Sequence, residues 1–197
     1  MAESLQAIVA AAPRGGRPTP LAGTLEDSPD QVRHARSRRV ARDLVELWRL
    51  QNGAERAEAA VVDVAALLTT VCEERFEVAL SGPPVLTVVS DPRRLSRIVL
   101  LALDNARLHG APPVTLEYDG TSIAITDCGK GFATRVLDLV PAPFITADRS
   151  HGRGVGLGLA IAYRQAELIG ARLVLSNAAH GGAVVRLKFL AAAEAAA

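Results

Sequence analysis

Two glycine clusters constrain this chain more than any other feature. "DCGKGF", Asp127 to Phe132, follows the alternating run "SIAIT", and "GRGVGLGL", Gly152 to Leu159, opens the apolar run "AIAYRQAEL". Glycine loses much conformational freedom on folding, and it is kept where main chain turns left-handed or where another group must touch the backbone. A strand ending on Asp-x-Gly-x-Gly and a helix beginning on Gly-x-Gly-x-Gly-Leu-Gly-Leu therefore set two bare loops at the ends of regular elements. Alone, the first cluster reads as a turn after a strand or as a pocket for a flat group, and the second as a tight helix contact or an anion loop. A third piece precedes both: Asn105, within the helical stretch "LALDNARLHG". Alone it reads as a satisfied core amide.

Taken in this order, the three pieces suit a nucleotide. The exocyclic amine of adenine donates to a carboxylate, and Asp127 stands at a strand end. Gly129 and Gly131 leave room for a base against backbone. A glycine loop that runs into a helix N-terminus gathers N–H groups for phosphate. Magnesium takes oxygen ligands and retains waters, so one amide oxygen from Asn105 together with phosphates would hold it.

The periodicity around these pieces predicts the fold. Residues 1–31, interrupted by Pro13, Pro18, Pro20 and Pro29, read as an irregular arm. A helix follows "SPD" and runs through "QVRHARSRRVARDLVELWRLQN", with Val40, Leu44, Leu47 and Trp48 on one face. "VDVAALLTTVCEER" reads as a shorter helix, and "FEVAL" and "VLTVVS" as strands around the turn "SGPP". "DPRRLSRIVLLALDNARLHG" carries its own punctuation: Asp91 as cap, Pro92 at the first position, Gly110 as stop. Two hairpins are expected, one turning on "DGT" and the last turning on glycine, with a helix ending at Gly170 between them. The order predicts an α+β fold, a two-layer sandwich with helices on one face of a mixed sheet.

With 197 residues, 49 % hydrophobic, the chain suffices for one packed domain and an appendage. A net charge of +1 argues against a nucleic-acid or membrane-surface binder. No apolar run approaches the ~20 residues of a spanning helix, and the start carries Glu3 where a signal peptide is basic. Cys72 and Cys128 have no metal-ligand spacing, which fits a reduced, cytoplasmic protein.

The order of asparagine, Asp-x-Gly-x-Gly and Gly-x-Gly-x-Gly-Leu-Gly-Leu resembles the ATP-binding catalytic domain of two-component sensor histidine kinases, in the superfamily of gyrase, heat-shock chaperone and mismatch-repair ATPases. The likeness runs from about Val61 to Phe189 and includes "VDVAALL" and "DPRRLSRI". It implies a Bergerat-type fold over 61–190, preceded by a helical stalk over 32–60 and followed by an Ala-rich tail over 191–197. The stalk resembles part of a dimerisation hairpin, so a homodimer through the 32–50 helix is implied. The resemblance implies ATP and Mg2+ as cofactors. It makes Asn105 the ligand of magnesium and a phosphate, Asp127 the partner of the adenine amine, and Gly129 and Gly131 the lining of the base. His109 would be pocket wall. Gly154, Gly156, Leu157 and Gly158 would shape the phosphate loop, and Phe144 to Arg153 would form a lid in which Arg149 and Arg153 are candidates to meet phosphate.

The chain departs from the family pattern at Leu101, Leu108 and Ala183, where an asparagine, a basic residue and a threonine are usual. These changes imply a weaker nucleotide site. ATP-hydrolysing relatives place a glutamate at position 101, and leucine cannot act as a base. No phosphoacceptor motif is present. "GGRPTPLAG" has only the tail of one, and Val45 stands where a second subclass has histidine. His34 is a weak acceptor candidate on the stalk. The activity implied is phosphoryl transfer to a histidine on another chain, with a response-regulator receiver domain or a histidine-bearing kinase as partner. The alternatives are a pseudokinase or phosphotransferase-like adaptor that docks a response regulator without ATP turnover, and a serine kinase acting on an anti-sigma partner.

Overall fold

A computed structural model describes residues 29–53, 55–73, 77–139 and 156–190. By its contacts the chain divides after Ala35. The described part of the first unit is the start of helix α1 (Pro29–Gln51), and the second unit carries the rest of α1 and all that follows. The tail and the whole of the lid expected from the sequence lie outside the described residues, as does the arm but for residues 29–31, which open α1.

In the second unit, β1 (Ala60–Asp63), α2 (Val64–Glu73), β2 (Val78–Ser81) and β3 (Thr87–Ser90) lead into the long helix α3 (Pro92–His109). β4 (Val114–Tyr118), β5 (Ser122–Thr126) and the short α4 (Thr134–Leu139) follow, then α5 (Gly158–Leu168), β6 (Ala171–Asn177) and β7 (Ala183–Phe189). The main sheet runs β2-β4-β5-β7-β6. β2 pairs parallel with β4, and every other neighbour is antiparallel, so the sheet is mixed. Helices α2, α3 and α5 share one aliphatic core with it, as expected of the α+β sandwich. Leu68 on α2, Leu95, Ile98 and Leu103 on α3, Ile161 on α5, and Leu116, Ile123 and Leu187 on the sheet are all fully buried within that core.

Two expectations need correction. "FEVAL" and "VLTVVS" do not pair across "SGPP": β2 joins the main sheet, whereas β3 pairs antiparallel with β1 in a separate two-stranded sheet. β2 takes its partner β4 some three dozen residues away, across α3, and β3 takes β1. On α1, Leu47 and Leu50 turn inward, while Leu44 and Trp48 stay exposed at 41 % and 63 %. The buried stripe is therefore shifted from the expected one, because ionic contacts set the rotation of the helix. Arg39 reaches Asp104, and Arg97 binds Asp43 at 3.0 Å and Glu46 at 2.7 Å.

The start of α3 is fixed by charge. Asp91 Oδ1 accepts the backbone N–H groups of Arg93 and Arg94, while its Oδ2 accepts that of Glu58, an N-cap worth about 1 kcal/mol. Burial alone would raise the Asp91 pKa. The N–H donors of Glu58 and Arg94 and the Arg93 side chain outweigh it, and the carboxyl sits below its ordinary value. Buried Arg94 donates to Gln165 Oε1 at 2.6 Å and to the Arg56 carbonyl at 2.8 Å, and pairs with Glu55 at 3.0 Å. Its Nε lies 3.4 Å from Asp91 Oδ2, an ion-pair contact without a hydrogen bond.

Candidate functional site

The far end of α3 is built from backbone instead. Gly110 caps the helix, its N–H bonded to the Ala106 carbonyl. A Cβ on Gly110 would overlap the Asp127 carboxyl, and one on Gly129 would lie 2.8 Å from Gly110 Cα. The bare helix end and the bare loop after β5 therefore touch, and no other residue type permits that approach. The Cys128 N–H donates to the Ala111 carbonyl at 2.8 Å and adds a fastening between the same segments.

Asp127 is buried, 3 % exposed. Its Oδ1 accepts the N–H of Gly129 at 2.7 Å and that of Ala183 at 3.3 Å. Among the described residues no donor reaches Oδ2. Its main chain continues the sheet, with the N–H donating to the Ala183 carbonyl at 3.1 Å. Gly182, at φ 96°, passes so close beneath that a Cβ would overlap the Asp127 carbonyl oxygen. The β6–β7 turn thus forms a floor for the Asp127 loop, and Ala183 serves it through its backbone.

The second glycine cluster meets α3 about two and a half turns earlier. Leu157, 3 % exposed, precedes α5 and its carbonyl accepts the Ile161 N–H. Gly158 rests on Leu101, whose Cδ2 would stand 3.6 Å from a Cβ there. Gly156 has φ 73°, the left-handed region expected of a glycine bend. Asn105, half-buried, lies four residues after Leu101 and hence on the same face of α3 one turn on. It stands between Leu101, which meets Gly158, and Gly110, which meets Asp127 and Gly129. So Asn105, Asp127, Gly129, Gly156, Leu157 and Gly158 gather about the last three turns of one helix.

Other sequence-derived candidates fall differently. His109 ends α3 and is exposed. Gly131, at φ 76°, directs the space of its missing Cβ at Asn177, 2.7 Å from Oδ1. His34 is exposed on the part of α1 that belongs to the first unit. Arg149, Arg153 and Gly154 lie outside the described residues. Sequence reasoning missed Gly110 as a packing partner, Gly182 as the floor, and Asn177, which bonds the loop. A cavity of about 380 Å³ lies elsewhere, lined by Leu50, Gln51, Arg164, Glu167 and Leu168. Among the described residues no three His, Cys, Asp or Glu side chains converge as a metal site, and no helix is long and apolar enough to cross a membrane.

The family described as histidine kinase-, DNA gyrase B-, and HSP90-like ATPase matches residues 90–193. Sensor protein CseC of Streptomyces avermitilis is 34 % identical over 170 residues, covering 85 % of this chain and 33 % of that protein. This chain spans about a third of the length of the sensor kinases it matches first. Among solved structures, full-length ShkA in complex with AMPPNP superposes with a TM-score of 0.68 at 25 % identity, over 81 % of this chain and 36 % of that one. The ATP-binding domain of PrrB from Mycobacterium tuberculosis gives 0.55 at 29 % identity, over 66 % of this chain and 96 % of that one. The chain therefore belongs to the histidine kinase-, DNA gyrase B- and HSP90-like ATPases, as a histidine-kinase-type ATPase domain of the sensor kinases.

Proposed function

We propose that this chain is the ATP-binding catalytic module of a two-component system and serves phosphoryl transfer from ATP to a histidine on another chain, in the cytoplasm. The observation that carries this reading is the divided carboxylate of Asp127. One oxygen is saturated by backbone N–H groups, and the other has no donor among the described residues although the residue is buried. That oxygen is not among the buried unpaired side-chain atoms of the described residues, which are Ser90 Oγ and Arg94 Nε, so it keeps access for an outside donor, and the amine of adenine would be one. The half-buried Asn105 would hold magnesium and a phosphate through its amide oxygen, and Gly156 to Gly158 at the start of α5 would face the phosphates. ATP, when bound, supplies the phosphoryl group, and magnesium the charge that offsets its oxygens. This chain's residues bind, orient and exclude water.

The segment 32–60, whose helical part belongs to α1 (Pro29–Gln51), acts in this proposal as part of a dimerisation stalk before the 61–190 domain, with the residues before it an arm and 191–197 a tail. A receiver domain or a histidine-bearing kinase is the partner. Leu101 is buried against Gly158 and offers no base, so hydrolysis without a phosphoacceptor is expected to be negligible. Incubation of the chain with γ-labelled ATP, Mg2+ and a histidine-bearing dimerisation hairpin tests the reading. Label should reach the hairpin with the wild type and fall sharply with Asn105→Ala. A chain that binds ATP but never passes label would favour the adaptor reading, which the missing acceptor motif supports.

A further inference from the structure

The loop that carries Asp127 is fastened at both ends, and only the first fastening belongs to the aspartate. At the other end the Asn177 side chain, at the last position of β6, bonds both main-chain groups of one residue. Its Oδ1 accepts the Phe132 N–H at 2.6 Å and its Nδ2 donates to the Phe132 carbonyl at 3.0 Å. The two partners fix the amide orientation, since an N–H only donates and a carbonyl only accepts. The amide therefore takes the place of a neighbouring strand. β6 is the edge strand next to β7, and the loop is tied to both: to Ala183 at the start of β7 through Asp127, and to Asn177 at the end of β6 through Phe132.

Gly131 completes the arrangement. Its left-handed backbone, φ 76°, lays Phe132 against Asn177, and a Cβ there would lie 2.7 Å from Asn177 Oδ1 and 3.2 Å from the Gly182 carbonyl oxygen. The second glycine of Asp-x-Gly-x-Gly is thus needed for this clamp. Asn177 is exposed, and exposed hydrogen bonds exchange with water at little net gain in stability. What such a pair does supply is geometry, because it holds the stretch Gly129–Gly131 at a fixed height above the β6–β7 turn.

We infer that Asn177 is a positioning residue for the nucleotide base: it fixes the Gly129–Phe132 strap so that the free oxygen of Asp127 and the bare backbone beside it present one preformed edge to adenine. This inference rests on the nucleotide-binding reading above. Asparagine alone combines donor and acceptor at this reach. Aspartate keeps the acceptor for the Phe132 N–H but repels the carbonyl, and glutamine is one methylene too long.

The test is calorimetric titration of the whole chain with a non-hydrolysable ATP analogue and Mg2+, for wild type, Asn177→Ala, Asn177→Asp and the control Ser176→Ala. It is read together with amide exchange at Phe132 in nucleotide-free protein. Asn177→Ala should weaken binding about 10-fold and speed exchange at Phe132, while its melting temperature moves by no more than about 4 °C. Asn177→Asp should fall between, and Ser176→Ala should match wild type. Unchanged affinity in a folded Asn177→Ala chain overturns the positioning role and leaves the nucleotide reading standing. A wild-type chain that binds no analogue refutes that reading, and the positioning role with it.

Discussion

At its first turn α3 is held by charged side chains; at its last it is held by glycine backbone folded against an aspartate. Both ends bury a carboxylate, and their surroundings differ in kind. Asp91 shares both oxygens among N–H groups and arginines, and Arg94 beside it reaches α5, the Arg56 carbonyl and Glu55. A ligand has nothing to add there. Asp127 spends one oxygen on the chain and keeps the other, in a place cleared of side chains by Gly110, Gly129 and Gly182. Within one helix, the end filled by the chain's own charged groups suits a structural joint, and the end that keeps an oxygen open is where the proposed nucleotide site lies.

That contrast is open to attack from either end. The largest effect is expected from Gly182→Ala, which sets a Cβ onto the Asp127 carbonyl from a left-handed backbone. It should cost about 3 kcal/mol or more, seen as a fall in the denaturation midpoint or a failure to fold. Arg94→Met at the other end leaves Asp91, Glu55 and Gln165 short of a partner and should cost about 3 kcal/mol. Nucleotide affinity of the folded fraction should stay within about 2-fold of wild type. A large loss of affinity would show that the two ends are not independent.

A smaller effect follows from pH. The folded-state pKa of Asp91 lies below its ordinary value, so its contribution is present above about pH 4 and is lost as the pH falls through the lowered folded-state value. Thermal melts of Asp91→Asn should therefore show a shallower acid decline than wild type below about pH 4, from a lower plateau at neutral pH. An identical slope would mean that Asp91 gains no stability from being charged.

Much of this was legible because its causes are local. Asp91-Pro92 and Gly110 mark both ends of α3, and the β4–β5 and β6–β7 hairpins close over short turns that their residues announce. β2 and β3 were misjoined because their partners lie beyond any local window: β2 reaches β4 across the whole of α3, and β1 buries only Val62 among its four residues. Asp127, Asn105 and the glycines could be proposed from spacing because chemistry limits what such a set binds. Asn177 could not, since its meaning lies in a contact 45 residues away with the main chain of one residue, Phe132.

The measurement that bears most directly on the account is a paired titration of wild type and Asp127→Asn with non-hydrolysable ATP and GTP analogues in Mg2+. The wild type should bind the adenine analogue and disfavour the guanine one by at least about 10-fold, and Asp127→Asn should lose about 10- to 100-fold in adenine affinity. Equal affinity for the two bases, or an Asp127→Asn chain that binds the ATP analogue as wild type does, would contradict it.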